Sequence, residues 1–115
     1  MEKTIKPWGY YVNLYGDDNS GYKVKMLHVN PKSRLSEQSH EQRDEHWIVT
    51  KGTAIIEHNG HKYTLNENSH YFIPKKTIHR LQNNSETDDL EVVETQLGTY
   101  LGEDDITRYE DDYNR

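Results

Sequence analysis

Apolar and polar residues alternate along most of this chain, and stretches with helical spacing are scarce. Tyr10, Val12 and Leu14 alternate with polar or smaller neighbours. Asp17-Asp18-Asn19-Ser20-Gly21 then reads as a turn. A strand from Tyr22 to Val29 runs into Asn30-Pro31, where proline has no amide hydrogen to give to a ladder. His46–Thr50 is a strand closed by Lys51-Gly52. Segments 53–58 and 61–65 flank Asn59-Gly60, a strong hairpin signal because both turn positions need positive φ. Tyr71–Ile73 stops at Pro74, a further strand lies near His79–Leu81, and Leu90–Leu97 is the last. About eight short strands separated by turns predict an all-β antiparallel barrel or jelly roll with little helix. No internal repeat or linker interrupts residues 1–115, which read as a single domain. The acidic segment 102–115 reads as either flexible or covering.

Composition changes this picture little. Only 31% of the 115 residues are apolar and 30% are charged, a balance that by itself raises disorder. The clustering of apolar residues into alternating runs, with nine Tyr and two Trp, argues for a thin two-sheet core instead. A core that small makes a homodimer the expected state. The net charge of −6 disfavours nucleic acid and anionic membrane as partners, while leaving room for a locally basic pocket. Cysteine is absent, so disulfide and thiolate chemistry are excluded. The polar N-terminus and the lack of a long apolar run predict a cytoplasmic protein.

The chemistry concentrates in two segments. His40 and Glu45 lie five apart and lead into a strand and a glycine turn, and His79 follows 34 residues after Glu45. Imidazole and carboxylate suit intermediate divalent metals, and a hairpin between the two segments can converge these groups inside a barrel. If Glu45 points inward, so do Trp47 and Val49, by the period of two. His28, His58, His61 and His70 read as solvated or structural, and His46 is out of phase with Glu45.

These segments resemble the paired motifs of the cupin superfamily. His40, four residues, Glu45, six residues and Gly52 match the first motif, with Gln38 where that motif carries an earlier histidine. Pro74, His79 and Asn83 match the second, with Asn68 and Lys76 in place of its glycines. Lys6-Pro7-Trp8-Gly9, the run from Gln38 to Trp47, and Gly98–Ile106 further resemble the type II mannose-6-phosphate isomerase domain, usually the C-terminal part of bifunctional isomerase and guanylyltransferase enzymes. The family's near-terminal Tyr-Gly-Arg is Tyr113-Asn114-Arg115 here. The nucleotidyltransferase half of those enzymes has no counterpart in these residues, so guanylyltransferase activity is not expected.

The resemblance implies a metal site of Gln38, His40, Glu45 and His79. It implies metal-dependent interconversion of mannose 6-phosphate and fructose 6-phosphate through an enediol. Zinc is the first expectation for that ligand mixture, with manganese or cobalt as substitutes. Lys23, Lys25, Arg43 and Arg108 are the expected phosphate contacts, the two lysines because they share phase with Leu27 and Val29. Glu94 shares phase with Leu90 and Val92 and is the first candidate for the proton-transferring base, with Lys25 or a metal-bound hydroxide as alternatives. Two rival readings accompany this one. One is a non-haem iron oxygenase using the same two histidines and carboxylate; the other is a non-catalytic sugar-binding or regulatory cupin.

Overall fold

The computed structural model describes residues 2–113, so Asn114 and Arg115 of the terminal motif lie outside the described residues. Twelve strands follow one another: β1 (Lys3–Lys6), β2 (Gly9–Tyr15), β3 (Tyr22–Val29), β4 (Ser33–Arg34), β5 (Glu37–Ser39), β6 (Arg43–Lys51), β7 (Ala54–His58), β8 (His61–Leu65), β9 (His70–Ile73), β10 (His79–Asn83), β11 (Leu90–Gly98) and β12 (Thr107–Glu110). They form two antiparallel six-stranded sheets. One is ordered β1-β2-β3-β11-β6-β9; the other is β12-β5-β10-β7-β8, with β4 also paired to β10. This is the all-β jelly roll that the alternation predicts. No helix of the described residues is long and apolar enough to cross a membrane.

Alternation sets which side chains enter the interior. Lys23, Lys25, Leu27 and Val29 of β3 are buried, as are Arg43, Glu45, Trp47 and Val49 of β6, and Leu90, Val92, Glu94 and Gln96 of β11. The register then sorts them. Val92 lies between Leu27 and Val49, Glu94 between Lys25 and Trp47, and Gln96 between Lys23 and Glu45. Apolar therefore faces apolar at one end of the barrel, and polar faces polar at the other. The apolar end is completed by Ala54, Ile56, Leu65 and Leu81 from the opposite sheet. Each fully buried Leu, Ile or Val there contributes about 1.5–3 kcal/mol, which makes the floor a rigid base for the polar end.

Asn59 and Gly60 both have positive φ, 49° and 84°, as a two-residue hairpin between β7 and β8 demands. Four strands escape the sequence pattern: β1, β4, β5 and β12 have two to four residues each and no apolar alternation. The acidic C-terminal segment takes the covering role of its two readings. β12 pairs with β5, Arg80 Nη1 donates to Glu110 Oε1 at 2.8 Å, and Arg34 Nε donates to Asp112 Oδ2 at 2.6 Å.

Candidate metal centre and pocket

Three candidate ligand residues converge at the polar end. Glu45 arrives on β6 in the inward phase, His79 opens β10, and His40 sits in the loop between β5 and β6. Backbone latches bring the two motifs together: Lys76 N donates to His40 O at 2.6 Å, and Lys75 N donates to Asp44 Oδ1 at 2.8 Å. Lys76 has φ of 65° and Asn68 has φ of 72°. The glycines of the cupin pattern are replaced at these positions, yet the left-handed conformation persists.

One candidate ligand atom from each of His40, Glu45 and His79 lies within 4.8 Å of the others, and all three residues are buried. His79 Nδ1 donates to Thr77 O at 3.0 Å, which turns the other nitrogen into the cluster. His79 Nε2 lies 3.2 Å from Glu45 Oε1 but is left buried without a hydrogen-bond partner among the described residues. An orphaned imidazole nitrogen aimed at a buried carboxylate fits a divalent ion. Gln38 stands opposite His79 in the β5–β10 register. Its amide nitrogen donates to Ser36 O at 3.3 Å and to Ser36 Oγ at 3.1 Å, which orients the amide and leaves its oxygen as the metal-type donor.

Arg43 hydrogen-bonds two of the three candidate ligands. Its Nε donates to Glu45 Oε2 at 2.9 Å and its Nη2 to His40 Nε2 at 2.9 Å. β6 starts three residues earlier than the pattern suggests, so Arg43 is a strand residue in phase with Glu45. Burial lowers the His40 pKa to about 4, leaving it neutral. Burial pushes the Glu45 carboxyl up, but the charges of Arg43 and His79 overcome it and hold Glu45 well below the usual carboxylate range. Burial would also lower His79; contact with Glu45 overcomes it and holds His79 above its ordinary value.

A cavity adjoins the cluster through Arg43, which lines it and donates to both Glu45 and His40. Lys6, Trp8, Tyr11 and Lys25 line it on the first sheet, with Gln38 and Arg108 on the second. Glu94 and Arg43 also line it, as does Glu103 from the covering segment. Glu94 is inward as expected: Oε1 accepts from Trp47 Nε1 and Oε2 from Gln96 Nε2, each at 2.8 Å. Burial, helped by the Glu45 charge, raises its pKa. Lys25 and Arg108 are in place, and Arg43 is too, although all three guanidinium nitrogens already donate to protein.

Lys23 is a correction. It shares the phase of Lys25 but lies two residues farther along β3, beyond the cavity. There its Nζ donates to Asp18 Oδ1 and Leu101 O, both at 3.0 Å. Phase fixes the face of a strand and not the position along it. Sequence reasoning also missed Lys6, Gln96 and Glu103 as site residues. Gln96 was signalled by its phase with Glu94; Lys6 and Glu103 lie in the family-like runs but reach the cavity only through packing.

A family model described as mannose-6-phosphate isomerase C-terminal matches residues 1–111. The chain belongs to this family. Alginate biosynthesis protein AlgA of Pseudomonas aeruginosa is 44% identical over 113 residues, covering 98% of this chain and 23% of that protein. A mannose-1-phosphate guanylyltransferase of Salmonella muenchen is 44% identical over 108 residues, covering 94% of this chain and 22% of that protein. This family member thus spans about a quarter of the length of the curated relatives it matches. The solved cupin domain of Schizosaccharomyces pombe Cnp3 shares the fold, with a TM-score of 0.72 at 7% identity over 77% of this chain and 64% of that one.

These relatives overturn the sequence expectation of a mannose 6-phosphate–fructose 6-phosphate isomerase. At equal identity, one matched protein is named for guanylyl transfer and another for alginate biosynthesis, and each has more than three quarters of its length outside the match. The similarity therefore carries membership in an enzyme family of mannose-phosphate metabolism and does not carry isomerisation to this chain. The dioxygen-using and regulatory rivals gain nothing from it either.

Proposed function

We propose that this domain binds one divalent cation at His40, Glu45 and His79, with the Gln38 amide oxygen as a fourth donor, and seats a phosphorylated hexose in the adjoining cavity. Zinc is the first choice for two imidazoles, a carboxylate and an amide oxygen, with manganese or cobalt as substitutes. The observation that carries the reading is the orphaned His79 Nε2, buried 3.2 Å from Glu45 Oε1, in a cluster that Arg43 joins to a cavity lined by cationic side chains. The hexose phosphate is inferred from the names of the family and its relatives, together with those cations.

A bound divalent ion supplies Lewis acidity toward a ligand oxygen. The chain's own groups do the rest. Trp8 and Tyr11 give apolar wall area to a sugar face. Glu94 is held at both oxygens, so it presents a fixed carboxyl to the cavity. Its raised pKa suits it to accept and return a proton.

The test uses metal-stripped and metal-reloaded protein. Metal content by mass spectrometry should reach one equivalent per chain in the wild type and be lost in His79→Ala. Calorimetry should show that mannose 6-phosphate or mannose 1-phosphate binds only the reloaded protein. Stoichiometric metal in His79→Ala, or no sugar-phosphate binding by the reloaded wild type, would refute the reading.

A further inference from the structure

The cavity's four cations are not equivalent. Lys25 Nζ donates to Glu103 Oε1 at 2.5 Å, and Arg43 Nη1 donates to Glu103 Oε2 at 3.3 Å. The chain thus places its own carboxylate between the two inner cations. Glu103 is firmly placed, because its segment is pinned on both sides. Leu101 is fully buried, and its N donates to Asp18 O at 2.8 Å. The Asp105 carboxylate accepts from Glu41 N at 3.2 Å and from Gln42 N at 3.0 Å. An incoming anion that used Lys25 and Arg43 would have to break both ion pairs and leave Glu103 facing it.

Lys6 and Arg108 differ. Neither makes a side-chain hydrogen bond or ion pair among the described residues; the Lys6 ammonium stands 5.9 Å from the Tyr11 ring centroid. Lys6 ends β1 on the first sheet, and Arg108 lies in β12 on the second, paired with Gln38. They therefore reach the cavity from opposite walls. We propose that Lys6 and Arg108 form the clamp for the ligand's phosphate, while Glu103 keeps Lys25 and Arg43 occupied. Lys6 is half-buried and Arg108 exposed, which puts the clamp at the rim, whereas His40, Glu45 and His79 are buried. A phosphate bound at the rim directs the carbon chain and its hydroxyls inward. Arg108 supplies a planar fork and Lys6 a point charge, a pairing suited to a terminal phosphate dianion.

This inference rests on the sugar-phosphate reading, and the experiment separates the two. Metal-loaded full-length chain is titrated calorimetrically with mannose 6-phosphate and with mannose. The wild type should prefer the phosphorylated sugar. Lys6→Ala and Arg108→Ala should each weaken mannose 6-phosphate about tenfold, as loss of one charge-assisted contact implies, with mannose affinity and metal content unchanged. Because neither side chain makes a hydrogen bond or ion pair among the described residues, and Lys6 meets only the Tyr11 ring at 5.9 Å, both variants should unfold close to the wild-type temperature. Wild-type affinity in both variants would overturn the clamp while leaving the sugar-phosphate reading intact. A wild type with no preference for the phosphorylated sugar would remove both. Glu103→Gln is the second arm: the clamp predicts a change within about threefold, whereas tightening of about tenfold or more would place the phosphate on Lys25 and Arg43 and overturn the proposal.

Discussion

His79 Nε2 stands 3.2 Å from Glu45 Oε1, and both residues are buried. Two lone pairs at that distance repel, so the contact is favourable only with a positive charge shared between them. Without a metal, the Glu45 contact holds the His79 pKa above its ordinary value, which favours a proton as that charge. A cation entering the cluster must displace it.

Metal affinity should accordingly depend on pH. His79 has a raised folded-state pKa, so the stabilisation from its proton is complete below the unfolded value of roughly 6.5 and is lost as pH rises through the folded value. Metal competes with that proton. Zinc affinity, measured against a chromophoric chelator, should rise steadily from pH 6 to pH 8 with release of a proton. A flat profile would show that His79 is not a ligand.

His40 gives a second sign. Its pKa is lowered to about 4 by burial, so the neutral ring stabilises the fold above the unfolded value of roughly 6.5. That contribution is lost as pH falls from there toward 4. In metal-free protein, His40→Gln should therefore flatten the loss of chemical-denaturation stability between pH 6.5 and 4.5. An unchanged slope would contradict the neutral assignment.

Glu94→Gln should be tolerated by the fold. Trp47 Nε1 can still donate to a side-chain oxygen at 94, and Gln96, whose Oε1 is buried without a partner among the described residues, can turn its amide to accept. The raised pKa of Glu94 means that its ionisation opposes folding as pH rises above its unfolded value of roughly 4.5. The variant should therefore be at least as stable as the wild type at pH 7, and any advantage should vanish near pH 4. Lower stability at pH 7 would mean that the carboxylate is held by more than these two donors.

Lys76→Gly should stabilise the protein. Lys76 has φ of 65°, a conformation that disfavours a side chain by about 1 kcal/mol. Its amide latch to His40 O uses only backbone atoms and survives the change. Thermal unfolding should shift upward by about 2–6 °C. A downward shift would reveal a packing role for the lysine side chain.

The strands that carry the core were legible in the chain because alternation is a local property. Residue phase grouped Leu27 with Val29, Trp47 and Val49 with Glu45, and Glu94 with Leu90 and Val92, and all of them are buried. Spacing alone picked out His40, Glu45 and His79, because a ligand loop feeding a strand must place its groups at fixed intervals. The Asn59-Gly60 turn was equally local. Other features were decided only by the tertiary structure. Lys23 and Lys25 share a phase, yet Asp18 and Leu101 close the barrel over the first while the cavity admits the second. Lys6 and Arg108 stand 102 positions apart and reach one cavity because β1 and β12 lie on different sheets. Glu103 neutralises Lys25 and Arg43 only because the acidic segment folds back over the mouth. Periodicity fixes the direction of a side chain; long-range packing fixes the partner it meets, and charge recognition depends on the partner.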